Sequence, residues 1–234
     1  MNCGGKMLDK EQIQELSVRF EETNPQDAIT WAVNTFEKDM AFASSFGMED
    51  ICIIDMILRV SPKARIFYLD TSLFFKETYA LIQQLENKYT VKFECVVSEC
   101  PLEQQARQYG DALWKINPDL CCSIRKVAPL KQKLSTLKAW MTGIRREQAP
   151  TRAHAKLVEW DEKFNLVKVN PLVKWSSQDV TGYLLKNDIP YNPLHDKGYP
   201  SIGCEPCTYP VNPGEDPRAG RWRGFSKTEC GLHK

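Results

Sequence analysis

The sequence predicts an α/β protein: a parallel twisted sheet flanked by helices and followed by an irregular C-terminal tail. Apolar residues recur at helical spacing in three stretches, and short apolar runs of strand length lie between and after them. Strands alternating with helices favour a parallel, doubly wound sheet. In chain order, Ile13, Leu16 and Phe20 line a first helix and Ile29, Ala32, Val33 and Phe36 a second, with Asn24 and Pro25 suited to its cap and first turn. Residues 40–46 read as a buried strand ending at Gly47, and the apolar segment 51–60 as the helix after it. Residues 65–69 form the next strand, Phe75, Tyr79, Ile82 and Leu85 a helix face, and residues 91–97 and 137–141 two further strands. Later, Ser176 and Asp179 make a capping box ahead of Val180, Tyr183 and Leu184. Beyond Pro190, prolines and glycines break the pattern. The chain thus divides into a body over residues 1–207 and a tail over residues 208–234 that is expected to be mobile.

Composition narrows the function. A chain of 234 residues, 42% hydrophobic and 26% charged, can bury a sizeable core. A net charge of +1 argues against a general nucleic-acid binder. The first ten residues lack the apolar run of a secretory leader, and no stretch approaches the roughly 18 apolar residues of a membrane span. The expectation is a cytoplasmic protein with neither membrane nor nucleic acid as partner; a homo-oligomer is compatible with the sequence. Nine cysteines, an odd number in a reducing compartment, point to metal or thiol chemistry and away from a disulfide framework.

Cys204 and Cys207 form a C-x-x-C, and the adjacent pair Cys121 and Cys122 completes a set of four. Four thiolates most often mean zinc. Adjacent side chains tend to diverge, which is awkward around one small ion and easier around an iron–sulfur cube whose irons are separate. The pair therefore favours a cluster, with zinc still open. Cys52 and Cys95 lie in apolar patterns and read as core residues. Cys230 stands near the end of the chain between Lys227 and His233, cations that favour the thiolate, the nucleophilic form.

In a doubly wound sheet, ligands bind beyond the carboxyl ends of strands. Residues 44–50, 70–72 and 143–146 meet that description, which makes Ser44, Ser45, Gly47, Asp70, Arg145 and Arg146 candidate contacts. Residues 44–47 lead into a helix whose first amides suit an anion, and an arginine fork can bind phosphate oxygens in pairs. Glu49 and Asp50 suit the helix start without any catalytic role. Arg218 and Arg221 bracket a glycine in the tail. His154 and His195 carry no such support and read as surface or satisfied histidines.

These segments, taken in order, resemble the assimilatory adenylyl-sulfate/phosphoadenylyl-sulfate (APS/PAPS) reductase family in its iron–sulfur, thioredoxin-dependent branch. The motifs are residues 44–50, Leu69-Asp70-Thr71, Cys121-Cys122 with Arg125-Lys126, residues 143–148, 203–207, 218–222 and 229–233. The resemblance implies a fold like the adenine nucleotide α-hydrolases, related to the PP-loop enzymes. It also implies a 4Fe–4S cluster on Cys121, Cys122, Cys204 and Cys207. The family's nucleophile maps onto Cys230, and its substrate-binding cations onto Lys126, Arg145, Arg146, Arg218, Arg221 and His233. The implied reaction is the reduction of APS to sulfite and AMP in sulfate assimilation, through an S-sulfocysteine that reduced thioredoxin or a glutaredoxin-like donor releases; reduction of PAPS, or of both nucleotides, is the alternative. A PP-loop ATP-dependent sulfur transferase and a zinc-stabilised binding module are the rival readings. The first favours a Ser-Gly-Gly-x-Asp-Ser loop, which this chain lacks.

Overall fold

The computed structural model describes residues 8–232. Helices α1 (Lys10–Glu21) and α2 (Pro25–Phe36) precede strand β1 (Met40–Ser44), helix α3 (Met48–Val60), strand β2 (Ile66–Asp70), helix α4 (Lys76–Tyr89) and strand β3 (Glu94–Val97). Four short helices follow: α5 (Leu102–Tyr109), α6 (Leu113–Ile116), α7 (Pro118–Cys122) and α8 (Ala128–Leu134). Strands β4 (Ala139–Met141), β5 (Val158–Asp161) and β6 (Leu166–Val169) and helix α9 (Ser177–Lys186) complete the regular structure.

The strands form one sheet in the order β3-β2-β1-β4-β6-β5. All pairs are parallel except β5 with β6. β1 lies at the centre, with Phe42 opposite Ile66 on one side and Met141 on the other. The period-2 alternation of strands sends Met40, Phe42, Met141 and Val167 into the larger apolar cluster, which α1, α2, α3, α4 and α9 share. Ala41, Phe67, Trp140 and Leu166 point the other way, onto Leu130 and Leu134 of α8. Residues 50–58 of α3 are all buried, which explains why that segment is apolar apart from Asp50, bonded to Ser45, and Asp55, bonded to Tyr89 and Tyr183. No helix among the described residues is long and apolar enough to cross a membrane.

The expected elements are present, with boundaries shifted by a few residues. Asn24 caps α2 with Pro25 in its first turn, and Ser176 and Asp179 form the capping box of α9. The β5–β6 hairpin and helices α5 to α8 were not expected. β5 alternates Val158 and Trp160 with two carboxylates, too short an alternation to stand out. The tail from Thr208 to Leu232 holds no helix or strand beyond one bridge between Thr208 and Arg221. It is nevertheless packed, with Trp222 and Glu229 only 3% and 2% exposed.

Candidate active site

The centre of the sheet sets the site's position. β1 is hydrogen-bonded to β2 on one side and β4 on the other, so the connections leaving β1 and β4 diverge and open a crevice at their carboxyl ends. Two loops frame it. After β1, the backbone turns through Phe46 in the left-handed region, φ 58°, with the ring locked by burial against Tyr68 and Phe93. Gly47 itself has an ordinary φ of −68°, and a Cβ there would meet protein atoms no closer than 3.6 Å. After β4, Gly143 leaves room for Asp50: a Cβ at 143 would lie 2.0 Å from the Asp50 carboxylate. Ser45 donates its backbone amide and hydroxyl to Asp50 Oδ2 at 2.5 and 2.7 Å. Burial outweighs those bonds and pushes the Asp50 carboxyl up to about 6.

The crevice is a cavity of about 570 Å³, the volume of a small-molecule site. Ser44, Ser45 and Gly47 line it from the β1 loop, Lys126 from the floor, and Arg218, Arg221 and Cys230 from the tail. Cys230 is half-buried and packs against Cys122, Cys204, Cys207 and Trp222. Gly231 follows at φ 86°, where a side chain would be strained, and its carbonyl accepts from Lys163. Arg221 packs against Gly203 and lies over the Trp222 ring at 4.5 Å, with Nη1 donating to Ser201 and Nε without a partner among the described residues.

Beside this cavity is a second, smaller one lined by Cys121, Cys122, Cys204 and Cys207, each under 10% exposed and none in a disulfide. A π-helical turn, Ser123–Val127, directly follows Cys122. Such turns are concentrated at functional sites. It carries Arg125 inward, where the guanidinium donates to the carbonyls of Thr71 at 2.6 Å and Cys100 at 3.1 Å and braces the loop after β2. Lys126 lines both cavities. Burial opposes its charge, but the neighbouring Cys204, Cys230 and Cys122 hold the ammonium above its ordinary range. Burial likewise opposes ionisation of Cys204, yet Lys126 and the Thr71 hydroxyl at 3.3 Å bring that thiol below its ordinary value. Cys121 and Cys207, by contrast, are pushed up to about 11 and about 12 by burial and by the other thiols. Trp114 also lines this cavity, and its indole N–H has no partner among the described residues. Among the described residues, no group of three or more His, Cys, Asp or Glu side chains is placed to hold a metal ion.

Three expected contacts stand elsewhere or are already engaged. Arg146 points away from the cavity, giving Nη1 and Nη2 to Glu21 of α1 at 2.6 and 3.1 Å and Nε to the Ala155 carbonyl. Asp70 does not line the cavity; Oδ1 accepts from the Ser72 amide and the Tyr79 hydroxyl and shapes the turn after β2. Arg145 borders the cavity but is 5% exposed, bound to Glu49 at 2.8 Å, Glu147, Ser177 and the Trp175 carbonyl. It braces the loops after β1 and β4 against α9. His233 lies outside the described residues. Conversely, Arg152, Glu229 and His195 line the cavity without having been expected there. His195 is only half satisfied: its ring bonds the Tyr199 backbone, Nε2 is buried without a partner among the described residues, and burial lowers the imidazole's pKa. An arginine in a loop such as Pro150-Thr151-Arg152 carries no periodic signal, and its role emerges only from the fold.

Comparisons with known proteins identify the family. Residues 39–210 match the family model for the phosphoadenosine phosphosulfate reductase domain. The adenosine 5'-phosphosulfate reductase of Geobacillus sp. (strain WCH70) is 49% identical over 208 residues, covering 88% of each chain. The crystal structure of phosphoadenylyl-sulfate (PAPS) reductase from Candida auris, a phosphate complex, superimposes with a TM-score of 0.78 at 31% identity, covering 88% of this chain and all of that one. The Candida glabrata FMN adenylyltransferase shares the fold alone, with a TM-score of 0.59 at 15% identity over 95% of this chain and 77% of that one. A match over most of the chain and close relatives of nearly equal length settle one point: the chain belongs to the phosphoadenosine phosphosulfate reductase domain family.

Proposed function

We propose that the protein reduces adenosine 5'-phosphosulfate to sulfite and AMP, with Cys230 as nucleophile. One observation carries the reading: the Cys230 thiol sits on the wall of a nucleotide-sized cavity beside Lys126, Arg218 and Arg221. The Cys230 thiolate attacks the sulfur of the sulfonate, forming an S–S bond. The S–O bond to the phosphate breaks, and AMP leaves with that electron pair. Lys126 and the two arginines hold the phosphate oxygens as negative charge builds on the leaving group. A thiol of reduced thioredoxin then attacks Cys230 and expels sulfite with its electron pair. The second thiol resolves the mixed disulfide, so the dithiol is oxidised by two electrons and Cys230 is restored. Opening of the tail gives the donor access to Cys230. This chemistry needs a reducing compartment, which fits a cytoplasmic enzyme.

Four further thiols suit a 4Fe–4S cluster, whose separate irons do not require the thiols to converge on one ion. They share one cavity, and the partnerless indole N–H of Trp114 borders it. Cys121, Cys122, Cys204 and Cys207 would hold the cluster. When bound, it supplies negative charge beside Lys126 and ties the segment at α7 to the segment before the tail. Lys126 would then answer both the cluster ligands and the substrate's anion. APS is the substrate that the names of the curated relatives favour. Steady-state comparison of APS with PAPS on anaerobically reconstituted protein tests this; a higher kcat/KM for PAPS would contradict it.

A further inference from the structure

The Glu229 carboxylate, one residue before Cys230, is 2% exposed, yet it lies on the wall of the ligand-sized cavity. Four donor contacts converge on it. Arg152 gives Nε to Oε1 at 3.0 Å and Nη2 to Oε2 at 2.9 Å. Arg218 gives Nη2 to Oε2 at 3.1 Å, and the Thr151 hydroxyl reaches Oε1 at 3.3 Å. Two guanidinium forks and a hydroxyl around two oxygens are a donor set that equally suits phosphate or sulfonate. Lys126 and Arg221 line the same cavity, whereas its carboxylates Glu49 and Glu147 are taken by Arg145 and Asp50 by Ser45. Asp216 is spent on the backbone, accepting from the Arg218 amide at 2.6 Å.

We propose that Glu229 is a positioning residue that stands in for the nucleotide's anionic group. In the free enzyme it holds Arg152 and Arg218 together, and nucleotide binding hands those arginines to the incoming phosphate oxygens. The inference rests on the nucleotide reading above. Arg152 belongs to the body, whereas Arg218 and Glu229 belong to the tail. The exchange therefore links occupancy of the cavity to the hold on the segment that carries Cys230. It also means that Glu229 competes with substrate. A carboxylate already seated among the donors disfavours a second anion there. Removing its charge at constant shape leaves two enclosed guanidiniums that an anionic ligand would satisfy.

The test is titration calorimetry on the full-length protein carrying its cluster, with AMP and with adenosine as probes. Glu229→Gln should bind AMP about fivefold tighter than the unsubstituted protein, a modest coupling between sites, and adenosine no tighter. Glu229→Asp keeps the charge and should show no gain for AMP. A general loosening of the tail would weaken AMP in both variants. Unchanged or weaker AMP binding by Glu229→Gln would overturn the inference, as would an equal gain for adenosine. If the unsubstituted protein binds neither probe, the nucleotide reading itself fails, and that result is distinct from any effect of the substitution.

Discussion

Arg152 and Glu229 meet at 2.9 Å in a pair whose side chains are 10% and 2% exposed. The pair ties a loop of the body to the residue before Cys230. With Trp222 buried against the cysteines and Lys227 bonded to Asp119, it docks a tail that has no helix or strand of its own. Arg152→Met removes one partner and leaves Arg218 and the Thr151 hydroxyl to hold the carboxylate, so Cys230 should alkylate about tenfold faster in a timed iodoacetamide reaction, a local opening easier by roughly 1.4 kcal/mol. An unchanged rate would show that the tail is held elsewhere. Burial raises the Glu229 pKa, but Arg152 and Arg218 outweigh it and hold it below its ordinary 4.5. Its contribution to docking is therefore complete above that value and is lost as pH falls below it.

Asp50 has the opposite sign. Its carboxyl, pushed up to about 6 from 3.8, keeps a proton in the folded state that the unfolded chain has already released. Its contribution to stability should be greatest below about pH 4 and should fall away as pH rises towards 6. Asp50→Asn removes the titration, so the difference in denaturant midpoint between variant and parent should grow across that window and then level off. A difference independent of pH would contradict the assignment.

Gly143 reports on the same contact. A methyl group there would lie 2.0 Å from the Asp50 carboxylate, so Gly143→Ala should cost about 1–3 kcal/mol in urea unfolding, the usual cost of overpacking. Combining it with Asp50→Ala should recover most of that loss, because the clashing atoms are gone. Additive losses would place the strain elsewhere.

Lys126 borders both the nucleotide cavity and the thiol cavity. Lys126→Gln should slow single-turnover sulfonation of Cys230 by about 10²-fold, the usual effect of removing one charge-stabilising donor. A rate within a few-fold of the parent would remove Lys126 from the chemical step.

Trp114 offers a readout independent of turnover. Its N–H borders the thiol cavity without a partner. If it donates to a cluster ligand, Trp114→Phe should move the reduction potential of reconstituted protein to a more negative value, since hydrogen bonds to sulfur favour the more negatively charged reduced state. An unchanged potential would show that the indole faces another acceptor.

The sheet and its central crevice were legible because β1, β2 and β4 are short apolar runs and the helix at 48–60 is mostly apolar. The four cysteines were legible from spacing, and the structure brings them to one cavity. The arginines after β4 were legible only as a pair. Which of them turns inward depends on Glu49 and Glu147 facing Arg145 and on Glu21 facing Arg146, partners set by tertiary packing. The contacts that dock the tail were not legible for a related reason: they are single contacts of Trp222, Lys227 and Glu229, which leave no pattern in sequence.

The central claim is that Cys230 carries the sulfonate. Intact-mass analysis of the anaerobically reconstituted protein, mixed with APS in the absence of thioredoxin, tests it directly. The parent should gain the mass of one sulfonate, localised to Cys230, and release it as sulfite when reduced thioredoxin is added. Cys230→Ser should gain nothing. An adduct that persists in Cys230→Ser would contradict the account and place the nucleophile on another residue.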